Sequence, residues 1–218
     1  GDDLKFKKTY VLVDGKAYLN AGVLVMLSPA VNFKIIKTQS FTPTGNLFKV
    51  TSVDENKRII KEFDNEPAGL FYAKQIGVPV EEIHKYFLTY VLGIMVGDEP
   101  FVREIAEVYS DYSLRTYCAV PEGVELQILK QGDMINDIKT IIKNEIRPLG
   151  NLIGIIHFHC MNRAKYIKYN NLFDEYKNAF KNLPIIGFNT YGEYYITYLN
   201  QSSVMLVLYN KSFISQRI

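Results

Sequence analysis

The run Gly187-Phe188-Asn189-Thr190-Tyr191-Gly192-Glu193 sets an amide, a hydroxyl, a phenol and a carboxylate between and beside two glycines. It follows the apolar Leu183-Pro184-Ile185-Ile186, which reads as a strand in a sheet interior. On that reading the glycines free the backbone for a sharp turn. Thr190, Tyr191 and Glu193 then emerge beside the end of a neighbouring strand, residues 155–160, and convergent polar groups at strand ends make pockets for small polar ligands. Arg163, just after that strand, adds a cation able to grip a carboxylate through two N–H donors. The opposing reading is a structural hairpin in which Glu193 pairs with Arg163 and nothing is bound.

Other groups invite chemistry less strongly. In His157-Phe158-His159-Cys160 the period of 2 along a strand puts the two histidines on one face and Cys160 on the other. A metal centre needs at least three convergent ligands. The expectation is therefore no metal, with the two histidines packed under a helix or hydrogen-bonded at a sheet face. Cys160 could serve as a nucleophile if Arg163 made its setting electropositive. Against this, His84 sits in no recognisable motif, and a small buried cysteine is the simpler reading. GxGxxG, GxxxxGK[ST] and GxSxG fingerprints are absent, so no cofactor is expected.

The elements that must position these residues are legible from periodicity. Residues 9–63 alternate short β-rich runs with turn signals, beginning with a hairpin across Asp14-Gly15 that continues into the apolar Ala21–Leu27. A helix is expected over 64–77, capped by Asp64 or Asn65, with Pro67 in its first turn and Gly77 at its end. A short helix follows near 80–88, then more strands. Met134, Ile135, Ile138, Ile141 and Ile142 mark an amphipathic helix that stops before Pro148. The last 70 or so residues read β-α-β-β. Tyr-Leu-Asn precedes apolar text at both Tyr18 and Tyr198, either a pseudo-repeat left by duplication or a coincidence. The fold class is α+β, with largely antiparallel sheets and helices packed on them.

Composition narrows the classes. The chain has 218 residues, 48% hydrophobic and 22% charged, enough for one large core or two small ones. With 25 basic and 23 acidic residues scattered along it, nothing marks a nucleic-acid or membrane surface as partner. The longest apolar runs fall far short of the roughly 20 residues that span a bilayer. Two cysteines without CxxC spacing fit a reducing cytoplasm.

Ordered short motifs make the sequence resemble the FIST (F-box and intracellular signal transduction) domain family. The family's strand ending in Phe-Ser-Cys followed by Arg is matched by Phe158, Cys160 and Arg163, with His159 where Ser is usual. Its Gly-Phe-x-Thr-Tyr-Gly-Glu is matched by Gly187, Phe188, Thr190, Tyr191, Gly192 and Glu193. Its His-Asn-Gln-Thr is matched by Asn200 and Gln201, with Leu199 and Ser202 at the flanks. Upstream, Gly1-Asp2-Asp3, Pro43-Thr44-Gly45, Phe48-Lys49-Val50-Thr51 and Asp64 to Ala68 follow in the family's order.

The resemblance implies a division into the end of the family's N-terminal part, residues 1–98, and a C-terminal part, residues 99–218. It implies an intracellular sensory domain without catalysis, attached in bacteria to an output module such as a chemotaxis, histidine kinase or diguanylate cyclase region. Its partner would be a small ligand such as an amino acid, and its candidate ligand-binding residues are Cys160, Arg163, Thr190, Tyr191, Glu193, Asn200 and Gln201. A chain that starts inside the N-terminal part is also expected to expose apolar surface and to self-associate.

Overall fold

The structure is a computed structural model that describes residues 8–210. It divides into two units, residues 1–30 and 31–218. In the first, β1 (Tyr10–Val13) and β2 (Lys16–Leu19) form the expected antiparallel hairpin. Asp14 and Gly15 both have positive φ, 49° and 73°, as a primed two-residue turn demands. The apolar run after it is not the strand expected from its composition. Residues 21–29 carry no regular structure, and Leu24 and Met26 are almost fully exposed. β-propensity is realised only where a neighbouring backbone completes the ladder, and among the described residues none pairs with this stretch. The likeness between Tyr18-Leu19-Asn20 and Tyr198-Leu199-Asn200 thus ends with the strand that carries each.

The second unit begins with β3 (Asn32–Thr38), β4 (Phe41–Pro43), β5 (Phe48–Asp54), β6 (Ile59–Phe63) and β7 (Glu66–Pro67). Asp64 and Asn65 do not cap the next helix. Both take positive φ in the turn between β6 and β7, where Asp64 accepts a hydrogen bond from Lys49 N–H and Asn65 N–H donates to Thr51 Oγ1. Helix α1 (Ala68–Ile76) instead follows Pro67 and ends at Gly77, whose φ of 73° is the left-handed stop that glycine favours. A 3₁₀ turn, Val80–Tyr86, leads into β8 (Tyr90–Val96), β9 (Glu99–Arg103), β10 (Ile105–Val108), β11 (Leu114–Thr116) and β12 (Glu125–Gln131).

These strands pair in the order β10-β11-β6-β5-β12-β8-β9, with β4 beside β12 and β7 beside β6, and the sheet curls into a nearly closed barrel. Its core gathers Phe48, Phe63 and Phe71 at ring separations of 4.9–5.6 Å, sealed by Tyr72, whose hydroxyl donates to the Tyr90 carbonyl.

Helix α2 (Met134–Ile141) starts where Asp133 accepts hydrogen bonds from the backbone of Ile135 and Asn136. It continues as a wider turn through Ile146, so that Ile138, Ile142 and Ile146 form one buried stripe. Then come β13 (Asn151–Cys160), α3 (Met161–Tyr169), α4 (Phe173–Ala179), β14 (Ile185–Thr190), the small hairpin β15 (Glu193–Tyr195) and β16 (Thr197–Leu199), and β17 (Ser203–Asn210). A four-stranded sheet runs β14-β13-β17-β3, parallel only between β13 and β14. Ile36, Ile155, Met205 and Val207 pack against the α2 stripe. On the opposite face Ile35, Ile186 and Phe188 are exposed.

β14 is therefore an edge strand, not the interior strand its apolar text promised. Gly187 serves close approach in place of a turn: a Cβ there would lie 2.1 Å from the His157 carbonyl oxygen. Gly187→Ala should cost about 1–3 kcal/mol by overpacking. Hydrogen exchange should show the loss first in β14, and unchanged protection there would contradict the account.

Candidate functional site

The parallel register sets Cys160 beside Thr190 and His159 beside Asn189. At this level β13 ends, and Cys160 occupies the N-cap of α3, from which Asn162 and Arg163 extend. β14 ends at the same level. Gly192 then turns the chain with φ 141°, under a Tyr198 hydroxyl so close that a Cβ would lie 2.4 Å from it. Any side chain at Gly192 would block the turn that brings Glu193 inward. The β15–β16 hairpin opposes Glu193 to Leu199, and Asn200, Gln201 and Ser202 carry the chain into β17.

The outcome is a buried polar seam. Glu193 accepts hydrogen bonds from Thr190 Oγ1 and, at 2.5 Å, from Ser202 Oγ. A second carboxylate, Glu104 from the junction of β9 and β10, accepts from Asn162 Nδ2 at 2.7 Å and Gln201 Nε2 at 3.1 Å. Asn200 Oδ1 accepts from the Glu104 backbone N–H and from the Cys118 thiol. Arg103 donates to the Tyr198 carbonyl. Burial disfavours charge here. It raises Glu104 to about 8 against the pull of its amide partners, and Glu193 to about 7. Cys160 is pushed up to about 12 by burial and then by the two carboxylates.

Among the described residues Arg163 is the largest fully buried side chain, with no exposed surface. None of its three guanidinium nitrogens has a hydrogen-bond partner. The ion pair with Glu193 considered from the sequence does not form, since Glu193 uses Thr190 and Ser202. Arg163 instead lies near His157, His159 and Tyr176, whose proton affinities its charge lowers. Tyr176 feels that charge without reaching hydrogen-bond geometry. Burial first, and Arg163 second, bring His157 down to about 4 and His159 to about 2, so both imidazoles are neutral at physiological pH. Their ring centroids are 5.2 Å apart, on one face as the strand period requires, and stacked under α4 through Tyr176 and Phe180. Among the described residues no three His, Cys, Asp or Glu side chains gather as a metal site.

Of the residues expected from the sequence, Cys160, Arg163, Thr190, Glu193, Asn200 and Gln201 converge. Tyr191 stays at the surface with its carbonyl held by the Tyr198 hydroxyl at 2.7 Å. Sequence reasoning missed Glu104, Asn162, Ser202 and Tyr176. Glu104 had one available signal: it interrupts the apolar face of a strand-like run, Phe101 to Val108, at a position due to be buried.

Residues 1–66 match the FIST N domain and residues 68–195 the FIST C domain. The Gly1-Asp2-Asp3 motif lies outside the described residues. No curated protein and no solved structure matches the chain. No helix among the described residues is long and apolar enough to cross a membrane. Domains of this kind are regarded as sensory parts of signal-transduction proteins. With both family domains matched in order along most of its length, the chain belongs to the FIST family.

Proposed function

We propose that this domain senses a small carboxylate-bearing ligand, with amino acids as the first class to examine, and passes its occupancy to an output module in a cytoplasmic signalling protein. The observation that carries the proposal is the Arg163 guanidinium, wholly buried and without a hydrogen-bond partner. Such a group is costly unless an anion compensates it. Glu193, held by two hydroxyls nearby, is the counter-charge an ammonium group would seek. Catalysis by Cys160 is disfavoured by the state of its thiol: a buried sulfur raised to about 12 has almost no thiolate at neutral pH.

The test is a thermal-shift panel of amino acids and small carboxylates on the whole chain, because a ligand that binds only the folded state raises its melting temperature. At least one carboxylate should do so; Arg163→Ala should weaken it by roughly 2 kcal/mol or more, and Glu193→Ala should do the same for a ligand that carries an ammonium group. A flat panel would sink the reading.

A further inference from the structure

A cleft of about 720 Å³ lies between α4 and the β13–β14 edge of the small sheet, within the size range of small-molecule sites. Its polar wall is formed by His157, His159 and Tyr176. His157 and His159 are each more than nine-tenths buried, and their Nε2 atoms, like the Tyr176 hydroxyl, have no hydrogen-bond partner. Arg163 sits close to all three. This set offers neutral donors in front of a fixed positive charge, which suits an anion and repels a metal cation.

The apolar walls on this face of the sheet are Ile167, Phe173, Phe180 and Ile185, while the side chains of Ile186 and Phe188 lie on the opposite face. Asn189, Lys177 and Lys181 add the other polar groups of the lining, and no carboxylate is part of it. An ammonium group on a ligand seated here would meet two lysines and find no counter-charge. Desolvating it would cost affinity with nothing in return.

We propose that the cleft takes a monocarboxylate with an aromatic or branched apolar body and no amino group, its carboxylate turned to the two histidines and Arg163. The inference rests on the proposed sensing role but narrows its ligand away from amino acids. An aryl ring would lie beside Phe173 and Phe180, where edge-to-face contacts add to burial. Lysines at the lining would raise the local concentration of acids over amines.

Calorimetric titration of the whole chain with 3-phenylpropionate, L-phenylalanine, propionate and phenethylamine tests this. 3-Phenylpropionate should bind about tenfold or more tightly than either L-phenylalanine or propionate, and phenethylamine should not bind. Phe173 and Lys177 line the cleft yet are exposed to solvent, so Phe173→Ala and Lys177→Glu should fold normally. Each should lower 3-phenylpropionate affinity by about threefold or more. L-Phenylalanine binding more tightly than 3-phenylpropionate would overturn the cleft inference and leave the sensing role standing. So would affinity indifferent to both variants, since the ligand would then sit elsewhere. Silence toward every carboxylate here and in the wider panel would overturn both.

Discussion

Arg163→Met should make the ligand-free domain more stable and at the same time abolish its response to carboxylates. The guanidinium has given up water without gaining a hydrogen bond. Exchange of buried charge for an apolar side chain of similar length is often stabilising by about 1–4 kcal/mol, and each kcal/mol corresponds to about 2–4 °C in a chain of this size. Chemical denaturation and a ligand-free melting curve measure the gain. Arg163→Lys keeps the charge but loses the planar fork, so it should retain the cost while binding more weakly. A substantial loss of stability in Arg163→Met would show that the guanidinium is a structural post, and its role as ligand anchor would fall.

The second large effect concerns pH. Glu104 is almost wholly buried and raised from 4.5 to about 8, so between these values the folded state holds a proton that the unfolded state has released. Stability is then fully present below about 4.5 and falls as pH rises toward 8, since the unfolded state binds fewer protons throughout that window. A shift of this size corresponds to roughly 5 kcal/mol. Glu193, raised to about 7, adds a loss over the lower part of the same range. Glu104→Gln, which supplies a neutral group of the same shape, should therefore gain stability at pH 8 and leave it little changed at pH 4. Rotation of the Gln201 amide, whose Oε1 has no partner, would satisfy the new donor. Urea midpoints across pH 4–9 decide it. A variant whose curve parallels that of the unmodified chain would mean that Glu104 is already ionised in the fold.

Local patterns told most where local forces decide. The isoleucine spacing from Ile135 to Ile146 announced the α2 stripe, Asp14-Gly15 its turn, and the period of strand residues the shared face of His157 and His159. The convergence of Arg163, Thr190, Glu193, Asn200 and Gln201 followed from motifs at strand ends. What remained hidden depends on distant partners. Ala21–Leu27 has strand composition, yet composition cannot say whether a neighbouring backbone will complete its ladder. The apolar text of β14 reads the same for an interior and an edge strand, because its parallel partner and the helices covering one face are chosen elsewhere. Glu104 becomes part of the seam through Asn162, Asn200 and Gln201, 58, 96 and 97 positions away.

The small sheet has one further consequence, in the order of assembly. Every strand of the barrel lies between residues 41 and 131, so that body can close on contacts made within this stretch. The small sheet cannot, because among the described residues β3 pairs only with β17, and Thr38 meets Ser203 across 165 positions of chain. Closing so long a loop carries the larger entropic cost and comes late in folding. β3 therefore waits unpaired, with Phe33 and Ile35 open, until the chain has been made as far as β17. The small sheet that carries β13 and β14 is then the last part of the domain to be completed, and the part most exposed to misassociation during synthesis.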